Sequence, residues 1–385
     1  MKSNYKPLGN YIKQIKKKNT DGSVSVLKGI RINKEFMESV ANIQGTDLSR
    51  YRVVEKYQFA YNPMHVGRDE ILPISVLLED EPIIVSPAYV VFEILDHNEL
   101  DPEYLMMWCR RSEFDRNVWF TTDSSVRGGF SWESLCELEL PIPSIEKQRE
   151  IVAEYNTIVN RIKLNETLNQ KLEDTAQALY KHWFVDKKNT DNENILLSDL
   201  VFQSKETIHP AKCKFDILEH YSIPNYDEKG LPSFEKTKTI RSHKYKVVSN
   251  SILLSKLNPR FPRVWNIYGI ANENAVCSTE FLVFVPKTID LFGFIYFVLK
   301  SNESIEYLTS RATGTSNSHQ RIRPSEILDM PIPCFSKEEV LSFSLKTLWM
   351  LKRIRLNLKE IVKLNELKDL ILSKMSKVET KTVEA

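Results

Sequence analysis

Two polar segments carry the side chains best suited to chemistry on a large anionic surface. One runs from Thr121 to Ser131 and offers Ser124, Ser125 and Arg127 on a Gly128-Gly129 backbone that permits close approach. The other, Thr309 to Arg323, contains Thr313, Ser316, Asn317, His319, Gln320, Arg321 and Arg323 and no acidic residue. Hydroxyls, amides and guanidiniums bond phosphates and base edges. A second pair of segments has the same character. Lys256, Asn258, Arg260 and Arg263 lie between Lys256 and Arg263, and Asn62 and Arg68 mark the corresponding stretch upstream. Each of the four also reads as a plain solvated loop; their recurrence in pairs favours recognition.

Catalytic patterns do not survive their context. There is no Walker-type phosphate loop and no GxGxxG following a strand. Asn62-Pro63-Met64-His65 and Asn258-Pro259-Arg260 begin like the Asn-Pro-Pro-aromatic box of amino-methyltransferases but lack its second proline and aromatic. Glu366-Leu367-Lys368 has nuclease-like spacing, yet it falls on an apolar-striped helix. The seven histidines and five cysteines show no metal-ligand spacing, so no metal is expected, and the scattered cysteines read as unpaired buried thiols.

The elements that must position these loops form a pattern. From Ser144 to Asp186 neither Gly nor Pro occurs, and apolar residues recur at helical spacing: Ile151, Tyr155, Ile158, Ile162, then, after a phase slip near Lys163, Leu164, Leu168, Leu172, Ala176, Leu179 and Trp183. A helix of that extent is roughly 60 Å long, more than a compact domain can cover, so it needs a partner helix. Ser336 to Met375 supplies one, with a Ser336/Glu339 capping box and a stripe of Leu351, Ile354, Leu358, Ile361, Leu364, Leu367, Ile371 and Met375.

Preceding each long helix is a mixed segment. Ser23–Leu27, Phe59–Tyr61, Ile83–Val85 and Tyr89–Ile94 read as strands, and Pro102–Phe114 as a helix. Ser86, Tyr89 and Phe92 fall on Ser278, Phe281 and Phe284 at an offset of 192; Leu105–Ser112 falls on Phe294–Ser301 at 189; Pro141-Ile142-Pro143 falls on Pro331-Ile332-Pro333 at 190. Ordered matches with small drift indicate a duplicated module. The expected fold is α+β: two duplicated globular α/β recognition domains separated by two long helices packed as an antiparallel coiled coil, a dumbbell with a pseudo-two-fold axis. The boundaries are 1–143, first domain; 144–186, first helix; 187–335, second domain; 336–378, second helix; and 379–385, a tail. Ile158, Ile162, Leu168, Leu172 and Leu179 are expected to meet Ile354, Leu358, Ile361, Leu367 and Ile371.

Composition fits a soluble chain: 42% apolar, 27% charged and a net charge of +2. The longest apolar run, Leu291–Leu299, is too short for a bilayer, and no apolar signal region follows Met1, so a cytoplasmic location is expected. Charge is segregated. Lys236 to Arg263 holds eight Lys and Arg residues and no acid, as a nucleic-acid binder with a protein partner would.

The run Pro141-Ile142-Pro143-Ser144-Ile145-Glu146-Lys147-Gln148-Arg149-Glu150-Ile151-Val152, entering a long helix after a Ser/Gly-rich loop and followed by a degenerate second copy, resembles the specificity subunit of type I restriction-modification systems. Copy two departs from it at Cys334–Val340, which lacks the glutamine. The resemblance implies a non-catalytic subunit whose two domains each read half of a bipartite site in double-stranded DNA, with the long helices as spacer. It implies two modification subunits and motor-nuclease subunits as partners, no membrane, and no cofactor on this chain; S-adenosylmethionine, ATP and Mg would belong to the partners. Two other readings remain: a stand-alone nuclease or methyltransferase with an unrecognised site, and a coiled-coil scaffold that touches no nucleic acid.

Overall fold

The computed structural model describes residues 5–39, 46–64, 66–122, 129–186, 194–269, 271–314 and 320–375. It is an α+β fold containing two long helices, Ile145–Tyr180 and Lys337–Lys374. Packing divides the chain into two units: residues 1–160 with 364–385, and residues 161–363.

The two units repeat one plan. In the first, an antiparallel sheet runs in the order Ile12–Ile15, Val90–Ile94, Phe59–Tyr61, Ile74–Val76. In the second the order is Val201–Ser204, Phe281–Pro286, Ser251–Ser255, Val264–Ile267. A two-stranded ribbon closes each, pairing Tyr5 with Pro141 and Asn194 with Pro333. Pro331-Ile332-Pro333 is thus itself an edge strand, whereas in the first unit the strand is Glu139–Pro141 and only the first proline of Pro141-Ile142-Pro143 belongs to it; at such edges a missing N–H is tolerated. A second sheet differs in size. Arg52–Val54 pairs with Ile83–Val85 in the first unit, whereas five strands, including the hairpin Ile217–Tyr221 with Ser233–Lys236, occupy that place in the second.

Two helices follow the sheet in each unit. The single helix expected over Pro102–Phe114 breaks instead at Arg110-Arg111, giving Pro102–Cys109 and Ser112–Thr121. Arg111 adopts an extended conformation there and lays its guanidinium over the Trp108 ring at 4.1 Å. The second unit breaks at the same point, between Phe292–Leu299 and Asn302–Arg311, where the Ser301 hydroxyl caps the new helix. Ser23–Leu27 is not a strand: only Leu27 makes a bridge, to Ile84.

Each long helix completes the cores. In the first unit Ile151, Val152 and Tyr155 join Leu372 and Met375 against Phe59, Phe92 and Trp108. In the second, Leu172, Ala176 and Tyr180 join Phe343, Leu351 and Ile354 against the apolar helix Phe292–Leu299. Within that unit the long helices run antiparallel: Arg161 pairs with Glu360 at 2.8 and 3.3 Å, and the Asn357 amide donates to Asn169 Oδ1 at 2.8 Å. The Arg161 guanidinium holds the Glu360 carboxyl below its usual range. The first helix ends in a π turn, Lys181–Val185, that buries Phe184. The capping box at the second is present, with Ser336 N–H to Glu339 at 3.1 Å and Glu339 N–H to Ser336 Oγ at 3.2 Å.

Two stripe positions are corrected. Leu164 is 57% and Leu367 48% exposed, while Asn165 is buried. The phase slip turns an asparagine, not the leucine beside it, inward. Of the other expected seam residues, Leu172, Ile354 and Ile361 are buried and Ile158, Ile162, Leu168, Leu179, Leu358 and Ile371 are half-buried. Of the thiols, Cys109 and Cys277 are buried, but Cys334 is exposed and Cys136 and Cys213 are half-buried.

Candidate nucleic-acid interface

In the second unit the loop 256–263 connects the inner strand Ser251–Ser255 to the edge strand Val264–Ile267. Asn258 has φ of 48°, a left-handed conformation asparagine tolerates better than most residues. Its carbonyl accepts from Phe261 N–H at 2.9 Å, closing a turn with proline in second place. Arg263 stiffens the base of this turn. It grips Asp227 with two bonds of 2.6 and 2.8 Å and donates to the Leu257 carbonyl at 3.4 Å.

The fold brings the second predicted segment against this turn. Asn258 N–H donates to the Gln320 carbonyl at 2.8 Å, and Gln320 N–H returns a bond to Asn258 Oδ1 at 3.1 Å. Ile322 N–H donates to the Lys256 carbonyl at 3.1 Å, and Thr313 and Arg321 exchange both backbone bonds at 2.8 Å. Segments distant in sequence thus share one surface. Arg321 forks onto Glu280 at 3.0 and 3.2 Å, and Arg323 N–H donates to Glu326 at the start of the helix Pro324–Leu328. Arg260 is exposed, with its guanidinium 5.8 Å from the Phe261 ring centre.

The first unit makes the corresponding junction. Asn62 Oδ1 accepts from Met64 N–H at 3.0 Å, an Asx turn, and Phe130 N–H donates to the Pro63 carbonyl at 2.9 Å. The loop after Gly129 is thereby tied to the Asn-Pro corner, as Gln320 is tied to Asn258. Ser124, Ser125 and Arg127, with Ser316, Asn317 and His319, lie outside the described residues, as does the side chain of Arg68 in the short helix Val66–Asp69.

Sequence reasoning missed four participants. Asp227 and Glu280 neutralise Arg263 and Arg321, and both lie far along the chain from the arginines they hold. Met64 and Phe261, the apolar tips of the two Asn-Pro corners, are 43% and 61% exposed. The signal for Phe261 was present: an aromatic residue set against a proline inside the acid-free run.

Chemically, each junction offers donors and acceptors on a stiff backbone, with little that could move a proton or bind a metal. Among the described residues no group of three or more His, Cys, Asp or Glu could hold a metal ion. Nor is any helix among them long and apolar enough to cross a membrane.

Residues 54–174 match the family model for the type I restriction modification DNA specificity domain. The specificity subunit of the type I restriction enzyme HindI from Haemophilus influenzae is 27% identical over 168 residues, which cover 42% of this chain and 36% of that relative, so the match spans about a third of the relative's length. The crystal structure of the S subunit of a type I restriction-modification system from M. genitalium superposes with a TM-score of 0.60 at 14% identity, covering 98% of this chain and 96% of that one, which establishes a shared fold. A specificity-domain sequence match over residues 54–174, a specificity-subunit relative and a fold shared with a solved S subunit make this chain similar to type I restriction-modification specificity subunits.

Proposed function

We propose that this chain recognises a bipartite sequence in double-stranded DNA, each unit reading one half, and so directs the modification and restriction subunits of a type I enzyme. The observation that carries the reading is the repeated junction: Asn258 with Gln320 in one unit and Pro63 with Phe130 in the other, two polar loops tied together at equivalent places of a duplicated fold. Polar groups on stiff turns suit base-edge readout, while Arg260, Arg323 and the basic run toward Lys236 suit phosphates.

The chain itself would catalyse nothing. S-adenosylmethionine would be held by modification subunits, and ATP and Mg by restriction subunits. The target adenine would be flipped into the modification subunit's pocket. On the second long helix Leu345, Trp349 and Leu356 are exposed by 50% or more, an apolar face on which a partner subunit could bury area. Binding studies of the chain with and without modification subunits test the reading. Tight, salt-sensitive, sequence-dependent binding by the complex is expected. Turnover of DNA by the isolated chain, with Mg or S-adenosylmethionine added, would instead favour a stand-alone enzyme.

A further inference from the structure

We infer that Phe261 is an apolar base-contacting residue of the second unit, held out by the Asn258–Arg263 turn to pack on an unstacked base or a thymine methyl, and that Arg263 is a positioning residue rather than a DNA ligand. The inference rests on the DNA-reading function proposed above and assigns it a side chain.

Three observations meet at this residue. The Phe261 ring is 61% exposed although its own backbone is fixed, N–H to the Asn258 carbonyl and carbonyl within reach of Arg263 Nη1 at 3.5 Å. An exposed phenyl on a mobile tip would be unremarkable; on a rigid turn between Pro259, itself buried, and Pro262 it is maintained against the hydrophobic effect. Second, Arg263 spends its guanidinium inside the protein. Both of its bonds to Asp227 are short, its side chain is only 12% exposed, and its remaining nitrogen faces the loop carbonyls. It braces the turn that presents the ring. Third, the equivalent corner of the first unit ends in another large apolar side chain, Met64, 43% exposed beside Asn62-Pro63.

The partner these tips fit is nucleic acid. Phe261 is flanked by the exposed Arg260, lies in a run of basic residues without an acid, and adjoins Gln320, whose backbone locks to Asn258. Apolar side chains among cations contact thymine methyls or wedge between base steps, with phosphate contacts setting the depth.

The test uses the complex of the full chain with its modification subunits and compares Kd for the cognate duplex with Kd for a scrambled duplex at fixed salt. Phe261→Ala is expected to weaken cognate binding by about tenfold to a hundredfold. It should leave the scrambled duplex and the slope of affinity against salt unchanged, with Phe261→Trp restoring most of the loss. Asp227→Asn, which loosens Arg263, is expected to lower cognate preference in the same direction without changing the salt slope. Unchanged discrimination in Phe261→Ala overturns the inference while leaving the DNA-reading function intact. So does an equal loss on both duplexes, or a loss traced by sedimentation to failed assembly with the modification subunit, which would make the ring a protein contact. A wild-type complex that does not distinguish the duplexes overturns both.

Discussion

Gln148 accepts a hydrogen bond from the backbone N–H of Asp101 at 2.9 Å, and its amide donates to the carbonyls of Glu99 and Pro143 at 2.8 and 2.9 Å. One fully buried side chain thus serves the start of the helix Pro102–Cys109, the turn before it and the start of the long helix that carries it. Copy two has no glutamine here. Ser344, further along its helix, donates to the Asp290 carbonyl, one bond where Gln148 makes three.

Replacing Gln148 removes the partner of one donor and two acceptors, the Pro143 carbonyl in a buried contact and the Asp101 N–H and Glu99 carbonyl in part-buried ones. Gln148→Ala is expected to destabilise the chain by about 2–4 kcal/mol, since each orphaned buried group costs about 1–3 kcal/mol and some collapse is possible. Gln148→Glu would place a carboxylate against two carbonyls. Burial raises the folded pKa of such a group above its unfolded value, so its destabilisation grows as pH rises from the unfolded pKa, and denaturant midpoints should fall further at pH 8 than at pH 5.

Gly293 sits where the apolar helix Phe292–Leu299 crosses the second long helix. A Cβ there would stand 2.6 Å from Thr347 Oγ1, a fully buried atom already bonded to the Phe343 carbonyl. Gly293→Ala is expected to cost about 1–3 kcal/mol despite its better helix propensity. Combining it with Thr347→Ala should recover part of that loss in equilibrium unfolding. Simple additivity of the two changes would show that the close approach does not matter.

Thiol labelling separates the cysteines. Burial pushes Cys109 and Cys277 up to about 12, so neither presents thiolate near neutrality. Cys334 is exposed. Under native conditions from pH 7 to 9, iodoacetamide is expected to modify Cys334 first and to leave Cys109 and Cys277 intact by mass spectrometry. Early labelling of either buried thiol would contradict the packing described.

The long helices offer a test of spacing. Four residues inserted after Asn165, about one turn, are expected to change the distance between the two recognised half-sites while leaving each half unchanged. Sequencing of methylated DNA reads both quantities. Altered half-sites at unchanged spacing would refute a spacer role.

Much of the architecture was legible because it rests on periodicity and repetition. The long helices, the capping box of the second and the duplicated sheet all leave marks in the chain. What escaped notice has another physical origin. Asn165 is inside and Leu164 outside because the helix seam is polar there: Asn165, Asn169 and Asn357 each keep a buried polar atom without a protein partner among the described residues, and apolar counting cannot see such a layer. The candidate site was legible as loops but not as chemistry. Arg263 and Arg321 look alike to Arg260 in sequence, yet Asp227 reaches the first from the helix Ile223–Lys229 and Glu280 the second from a turn. Only the fold distinguishes an arginine that braces from one that faces solvent.

The most direct measurement is sequencing of methylated adenines in DNA modified by the complex, comparing the wild-type chain with an Arg260→Ala/Phe261→Ala variant of the second unit. The expected wild-type result is methylation confined to a two-part sequence, and the variant should relax one part while the other stays fixed. Methylation without sequence preference in the wild type, or loss of both parts together in the variant, would contradict the assignment of one half-site to each unit.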